Sequence, residues 1–189
     1  LGHAVPRFGH LPMILGPDGR RLSKRHGATA VQEYEDQGIL PEALFNFLAL
    51  LGWNPGDDRE VMHKDEIVAE FSIDKVQKKS AVFDNKKLSW MNGQHLARVD
   101  SHDLMSLVTA RFDARGVASD CWRGREGWLV RLVDLLKVRA RNLDDLAAMA
   151  EPYLSDPVDY EPDSVAKHWA KEPATVAEHI AQLRGRLDD

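Results

Sequence analysis

The sequence predicts a mainly α protein: a short strand and a mobile loop, then a compact α-rich unit, then an α-helical bundle. Three observations predict it. Apolar residues recur at helical spacing along most of the 189 residues, as at Leu44, Phe47, Leu48 and Leu51. Turn formers punctuate those stretches, with proline near starts and glycine near ends. A single run, Met13-Ile14-Leu15, reads as a buried strand ahead of the first helix. A hydrophobic content of 43% and a charged content of 29% suit a globular chain with a real core.

Each element follows from local chemistry. Pro17, Asp18 and Gly19 break the strand and open a loop that extends to Gly27. Thr29-Ala30-Val31-Gln32 reads as a capping box, so a helix starts there and stops at Gly38. Pro41 suits the first turn of the next helix, with Gly52 just beyond its end. Asn54 to Asp58 is a turn cluster, Lys64 to Phe71 a helix, and Ile73 to Val82 irregular or extended. Asp84 is placed to cap a short helix that Gly93 closes. Ser101 opens an amphipathic helix carrying Leu104, Leu107, Val108 and Phe112, ended near Gly116. Arg115 to Gly127 is a loop, followed by a longer helix from Trp128 through Leu136. Helices near 143–150, 163–171 and 174–187 complete the bundle, and Glu151 to Pro162, rich in Pro and Asp, reads as a linker.

Composition narrows the function classes. The longest apolar stretches are interrupted and too short to cross a bilayer, and no secretory leader pattern is visible. The lone Cys121 fits a reducing compartment, so a cytoplasmic protein is expected. Eight histidines show no metal-ligand spacing, so no metal site, zinc included, is expected. The net charge of −5 hides segregation along the chain. Residues 1–28 carry five Lys/Arg against one Asp, and 29–71 two basic against ten acidic groups. Residues 72–99 carry six against two, 100–142 eight against six, and 143–189 four against eleven. Over a Debye length of roughly 10 Å such basic segments act locally, which suits a protein holding a polyanion on one side.

The most informative segment is Pro17-Asp18-Gly19-Arg20-Arg21-Leu22-Ser23-Lys24-Arg25-His26-Gly27, with four cations and a hydroxyl among turn formers. Cations and backbone N–H groups on a loop can close on a polyphosphate and neutralise charge on a departing phosphate. Arg21 to Arg25 resembles the Lys-Met-Ser-Lys-Ser signature of class I aminoacyl-tRNA synthetases, in the Lys-Leu-Ser-Lys-Arg form of glutamyl-tRNA synthetases of the bacterial type. Three further segments resemble the same family in the same order. Pro6 to Leu15 is similar to the strand feeding the loop, and Gly38 to Leu48 to the helix after it. Val82 to Gly93 is similar to the segment that contacts the tRNA stem. The His-x-Gly-His signature of the family is not matched: Arg7-Phe8-Gly9-His10 supplies only its last two residues, in the wrong place.

The resemblance implies a division into the end of a catalytic domain over 1–28, a stem-contact domain over 29–99 and the first part of a helical anticodon-binding domain over 100–189. It implies a part of a glutamate–tRNA ligase, internal to a longer enzyme and inactive by itself. ATP accompanied by Mg2+, glutamate and the glutamate tRNA are the expected substrates and partners, with no membrane association and a monomeric state. Lys24 and Ser23 are implied as catalytic, and Lys24, Arg21, Leu22, Ser23, Arg25 and Leu11 as ATP contacts. Arg20 and His26 read better as solvated charge. The tRNA contacts implied are Lys87, Trp90 and Asn92 on the stem-contact helix and Arg139 for the last anticodon base, with Asn142 in place of the usual threonine. Lys86 and Trp90, four residues apart, share a helix face, and Lys75, Lys78 and Lys79 extend that patch or form a solvated face. Two alternatives stand beside this reading: a helical module that only binds tRNA, and a relaxed enzyme that also charges the glutamine tRNA.

Overall fold

The computed structural model describes residues 3, 5, 8–23, 25, 30–154 and 160–188. Lys24, His26 and Thr29 therefore lie outside the described residues. The architecture is mainly α, as expected, and packing divides the chain into one unit ending at Leu154 and a second starting at Ser155. That division falls inside the Pro/Asp-rich 151–162 segment.

In the first unit, β1 (Ile14–Leu15) pairs in parallel with β2 (Ala81–Val82), Ile14 opposite Ala81. Between them come α1 (Val31–Asp36), α2 (Pro41–Leu50) and α3 (Lys64–Glu70). After β2 follow α4 (Asn85–Arg98), α5 (Ser101–Ala114), α6 (Glu126–Lys137) and α7 (Leu143–Ala150). In the second unit, α8 (Pro162–His168) begins on a proline and α9 (Pro173–Asp188) follows, with Tyr160 edge-on to Trp169 at 4.7 Å.

Several expectations are corrected. The helix at α1 is capped at Ala30, and Glu33 rather than Gln32 reaches back, accepting from the Ala30 N–H at 3.1 Å. On α2 the inward face is Ala43, Leu44, Asn46 and Phe47, while Leu48 is exposed, because Asn46 makes buried hydrogen bonds that an outward position would lose. The β1 segment is not buried: Met13 is 58% exposed and Ile14 37%. Asp84 does cap α4, accepting from the N–H groups of Lys86 and Lys87 at 2.8 and 3.2 Å. Yet α4 runs five residues past Gly93, to Arg98.

Gly93 serves packing instead. A Cβ there would stand 3.0 Å from the Ala140 carbonyl oxygen, so only glycine lets the α6–α7 turn lie against α4. Gly38 has the same function from the other side, with φ of +72° and room for a Cβ only at 2.9 Å from Leu143 N. The main core continues across residue 99, joining Leu40, Ala43 and Leu96 to Leu104, Phe112, Leu129 and Leu146. A second core of Tyr34, Leu44, Phe47, Phe83, Leu88 and Met91 binds α1, α2 and α4 together, with Phe83 against both Tyr34 and Phe47. Trp53, Met62 and Ile67 form a third beneath α3.

Candidate functional site

The base of the basic loop is a tight reverse turn. Gly16 N–H donates to the Arg20 carbonyl at 2.7 Å, and Gly19 takes a φ of +72°. Arg20 N–H donates to the Asp18 carboxylate at 3.0 Å. Arg21 then bridges back to Leu15, and Leu22 N–H donates to Ile14 O at 3.0 Å. Through Leu22 these bonds satisfy the backbone of the stretch that opens the loop. The Leu22 side chain leans on the Tyr34–Phe83 core. Arg21 and Arg25 are exposed and Ser23 is half-buried. Lys24, the central residue of the expected phosphate site, is outside the described residues. Leu11 is 78% exposed on the approach to β1, beside the exposed Phe8 and Met13.

The loop and α4 share a foundation. Phe83 N–H donates to the Leu15 carbonyl at 2.8 Å, so the strand that feeds the loop also fixes the residue before the α4 cap. On α4, Leu88 and Met91 point into the core and Lys86 into solvent. Lys87 is paired with the Glu60 carboxylate, both side chains partly exposed. Trp90 is half-buried against the core and lines a cleft of about 400 Å³ with Asn85, Lys86, Ser89 and Arg141. Lys75 is tied by its ammonium to the Pro55 carbonyl at 2.7 Å, while Lys78 and Lys79 are exposed.

Asn92 is not a surface residue. It is fully buried; its Oδ1 accepts from Leu40 N–H at 2.8 Å. Its amide donates to the carbonyls of Arg141 at 2.7 Å and Gly38 at 3.3 Å. An expected RNA contact is therefore an internal clamp: it partners the buried Leu40 N–H and the Arg141 carbonyl, and shares the Gly38 carbonyl with Leu143 N–H. It ties α4 to the α1–α2 and α6–α7 turns at one point.

The cations around the end of α6 also separate into buried and exposed. Lys137 is buried, its ammonium held by Val99 O at 2.8 Å, Asp134 at 2.8 Å and Ser101 Oγ at 3.1 Å. Arg139 stands exposed in the turn after α6, and Arg141 is exposed beyond it. Asn142 caps α7, accepting from Asp145 N–H at 2.7 Å, which any side chain with a short oxygen arm, threonine included, can do.

Sequence reasoning missed Arg111, whose guanidinium donates to Glu35 O at 2.6 Å and Asp36 O at 2.9 Å. Arg141 was legible only as one of three cations, with Lys137 and Arg139, at every second position of a helix end. Also buried is His95, whose Nε2 lies 2.9 Å from Asn46 Oδ1. Since that oxygen also accepts from Met62 N–H, Nε2 is the donor. Burial lowers the imidazole pKa below its ordinary 6.5, with Arg98 and His63 pushing the same way and Glu42 opposing them. Among the described residues no group of three or more His, Cys, Asp or Glu is placed to hold a metal ion, and no helix is long and apolar enough to cross a membrane.

Residues 1–90 match the family described as tRNA synthetases class I (E and Q), catalytic domain. Residues 103–189 match the anticodon binding domain family. The chain is 40% identical over 177 residues to glutamate–tRNA ligase 1 of Syntrophomonas wolfei, covering 93% of this chain and 35% of that protein. It is 42% identical over 189 residues to the glutamate–tRNA ligase of Nitratidesulfovibrio vulgaris Hildenborough, covering 99% of this chain and 39% of the relative. Among solved structures it is similar to a glutamate tRNA ligase from Elizabethkingia meningosepticum in complex with its amino acid. There the TM-score is 0.79 at 27% identity, over 96% of this chain and 39% of the other. The chain spans between a third and two fifths of the length of these curated relatives.

Proposed function

This chain belongs to the class I tRNA synthetases of the glutamate and glutamine group, and we propose that it supplies the ATP-closing loop and the tRNA-binding surface of a glutamate–tRNA ligase. In that reaction the glutamate carboxylate attacks the α-phosphate of ATP and pyrophosphate leaves. A ribose hydroxyl of the tRNA's terminal adenosine then attacks the adenylate carbonyl, and AMP leaves.

The observation that carries the reading is the shared foundation of loop and helix. The parallel strand pair sends out the loop after Leu15 and α4 after Val82 from the same end, with Arg21 bridged back to Leu15 and Phe83 N–H donating to the Leu15 carbonyl. A polyphosphate grip and an RNA contact surface thereby keep a fixed relation. In this reading Lys24 follows the β- and γ-phosphates as a point charge, Ser23 donates a hydroxyl hydrogen bond, and Arg21 and Arg25 neutralise departing pyrophosphate. Leu11 and the Leu22 backbone border the adenosine, and Mg2+ accompanies the ATP. Lys87 and Trp90 hold the tRNA stem, and Arg139 reads the last anticodon base. Roles divide at residues 28 and 99 although packing runs on to Leu154. The 189 residues alone do not catalyse, and the protein acts as a cytoplasmic monomer.

The test is glutamate-dependent ATP–pyrophosphate exchange by the complete polypeptide that carries this chain. Lys24→Ala should slow exchange by about 10²–10³, the scale of losing one preorganised donor. Exchange at the unaltered rate would remove Lys24 from the site. A complete polypeptide that binds the glutamate tRNA but never exchanges would leave the binding-only reading.

A further inference from the structure

We propose that the cleft between α4 and the α6–α7 turn seats one nucleotide of the bound tRNA, its phosphate held by Arg141 and its base or ribose laid on Trp90. The inference rests on the tRNA-binding reading above and adds to it a site formed across the junction of the two matched domains.

Several cations of the first unit are committed to the protein itself. Arg111 is spent on two carbonyls and Asp144, Arg115 on Glu151, Lys137 on Val99, Ser101 and Asp134, and Lys87 on Glu60. The Arg141 guanidinium and the Lys86 ammonium differ: among the described residues neither makes an ion pair or a side-chain hydrogen bond. Both border the same cleft, and none of its lining residues is acidic. Its volume of about 400 Å³ falls in the range of small-ligand clefts, ~300–1,000 Å³.

Arg141 is also presented rigidly. Its carbonyl accepts from Asn92 at 2.7 Å and its N–H donates to the Asp145 carboxylate at 3.2 Å. Gly93 lies beside it, and the tight approach of Gly93 to the Ala140 carbonyl, 3.0 Å for a Cβ, fixes the residue before Arg141. The backbone is fixed before any ligand arrives, so little ordering remains to be done on binding. Trp90, with its inner part against the core, offers an aromatic surface to a sequence-independent stacking partner. Asn85 and Ser89 on the same wall carry donors and acceptors suited to a ribose hydroxyl. A cationic cleft with one aromatic wall and no carboxylate fits a nucleotide of RNA better than a peptide segment.

The experiment measures binding of the glutamate tRNA to the complete polypeptide across a series of salt concentrations, with phosphate-ethylation interference mapping on the same complex. Arg141→Ala is expected to weaken binding about tenfold at low salt and to lower the salt slope by about one unit. One phosphate whose ethylation blocks binding to the unaltered protein should become silent in that variant. Arg141→Lys should restore the slope, since the phosphate needs only the charge. Arg123→Ala, elsewhere on the surface, should change neither. An unchanged slope and interference map in Arg141→Ala, with tRNA still bound tightly, would overturn the seat and leave the wider reading standing. Failure of the unaltered polypeptide to bind tRNA at any salt would overturn both. Displacement by an acidic peptide with no effect of RNA on the cleft would assign it to a protein partner instead.

Discussion

The joint around Asn92 and the basic loop after β1 both belong to the first unit, but the chain holds them in contrasting ways. At the joint, three backbone segments are cross-linked by one buried amide, and two glycines admit contacts that any Cβ would block. From Arg20 to Arg25 the loop is held at its base by backbone bonds and one inward leucine, and its arginines stand in solvent. The difference matches two demands. Contacts to a large RNA act at fixed spacing, so the surface that carries them gains from rigidity. A loop that neutralises charge on a leaving group acts by closing, so its cations gain from having few structural ties.

The strongest way to break the contrast is to cut the joint. Asn92→Ala takes the acceptor from the buried Leu40 N–H and the amide donor from the Arg141 carbonyl, while the Gly38 carbonyl keeps Leu143 N–H. That should cost about 2–4 kcal/mol of unfolding free energy by urea titration. Arg25→Ala on the loop should shift the same measurement by less than ~0.5 kcal/mol. Comparable losses in both variants would erase the distinction between a clamped joint and a lightly tied loop.

How much of this was legible beforehand follows the same contrast. The loop was readable because its chemistry is local: Pro17, Asp18 and Gly19 dictate a turn, and the cations stand within a few residues of each other. Asp84 was readable as a cap for the same reason, since it acts two and three residues away. Gly93 misled because its cause is remote; the Ala140 carbonyl that excludes a Cβ lies 47 residues on, and a local reading makes glycine a helix stop. Asn92 was assigned to the surface, and Lys137 was not singled out, because polar side chains usually lie there. Their burial depends on carbonyls at 38, 141 and 99 that no local pattern reveals. The exposed strand at Met13 was misread because three apolar residues in a row look the same whether or not a layer covers them.

A second measurement sharpens the joint's proposed purpose of presenting arginines. Glutamate and glutamine anticodons end in cytosine and guanine respectively. The guanidinium of Arg139 can donate to the cytosine carbonyl and ring nitrogen, where the guanine edge presents donors. Arg139→Gln loses the charge and gains an acceptor. It should narrow the kcat/KM ratio between the two tRNAs about ten- to a hundredfold, ~1–3 kcal/mol, mainly by admitting the glutamine tRNA. An unchanged ratio would move the reading of that base to another residue.

The joint's neighbour His95 gives a smaller, pH-dependent signature. Its imidazole pKa is held below 6.5 when folded, chiefly by burial. Above 6.5 both states are neutral there and the His95–Asn46 bond contributes fully. As pH falls below 6.5 the unfolded chain takes up the proton first, so stability declines until the folded pKa is passed. One group limits that slope to ~1.4 kcal/mol per pH unit. Urea midpoints between pH 5 and 7.5 should show the decline, and His95→Gln should flatten it. A slope untouched by that substitution would place the titrating group elsewhere.

The smallest effect concerns Lys87, the one proposed RNA contact that the protein already occupies. Its ammonium is paired with Glu60, and the side chains are 40% and 48% exposed. An exposed pair of this kind is worth about 0–1 kcal/mol. For a phosphate to engage Lys87 that pair has to open, and the Glu60 carboxylate repels the incoming anion as well. Glu60→Gln removes both obstacles, so it should tighten binding of the glutamate tRNA by about two- to fivefold at low salt. The gain should fade as the Debye length shrinks toward ~10 Å at 0.1 M salt. Lys87→Ala should then cost more in the Glu60→Gln background than in the unaltered protein, because the lysine is no longer divided between two partners. Equal costs in the two backgrounds, with no tightening from Glu60→Gln alone, would make Lys87 and Glu60 a surface pair and nothing more. The rigid side of the molecule would then contact RNA only through groups it leaves unpaired, as it does Lys86 and Arg141.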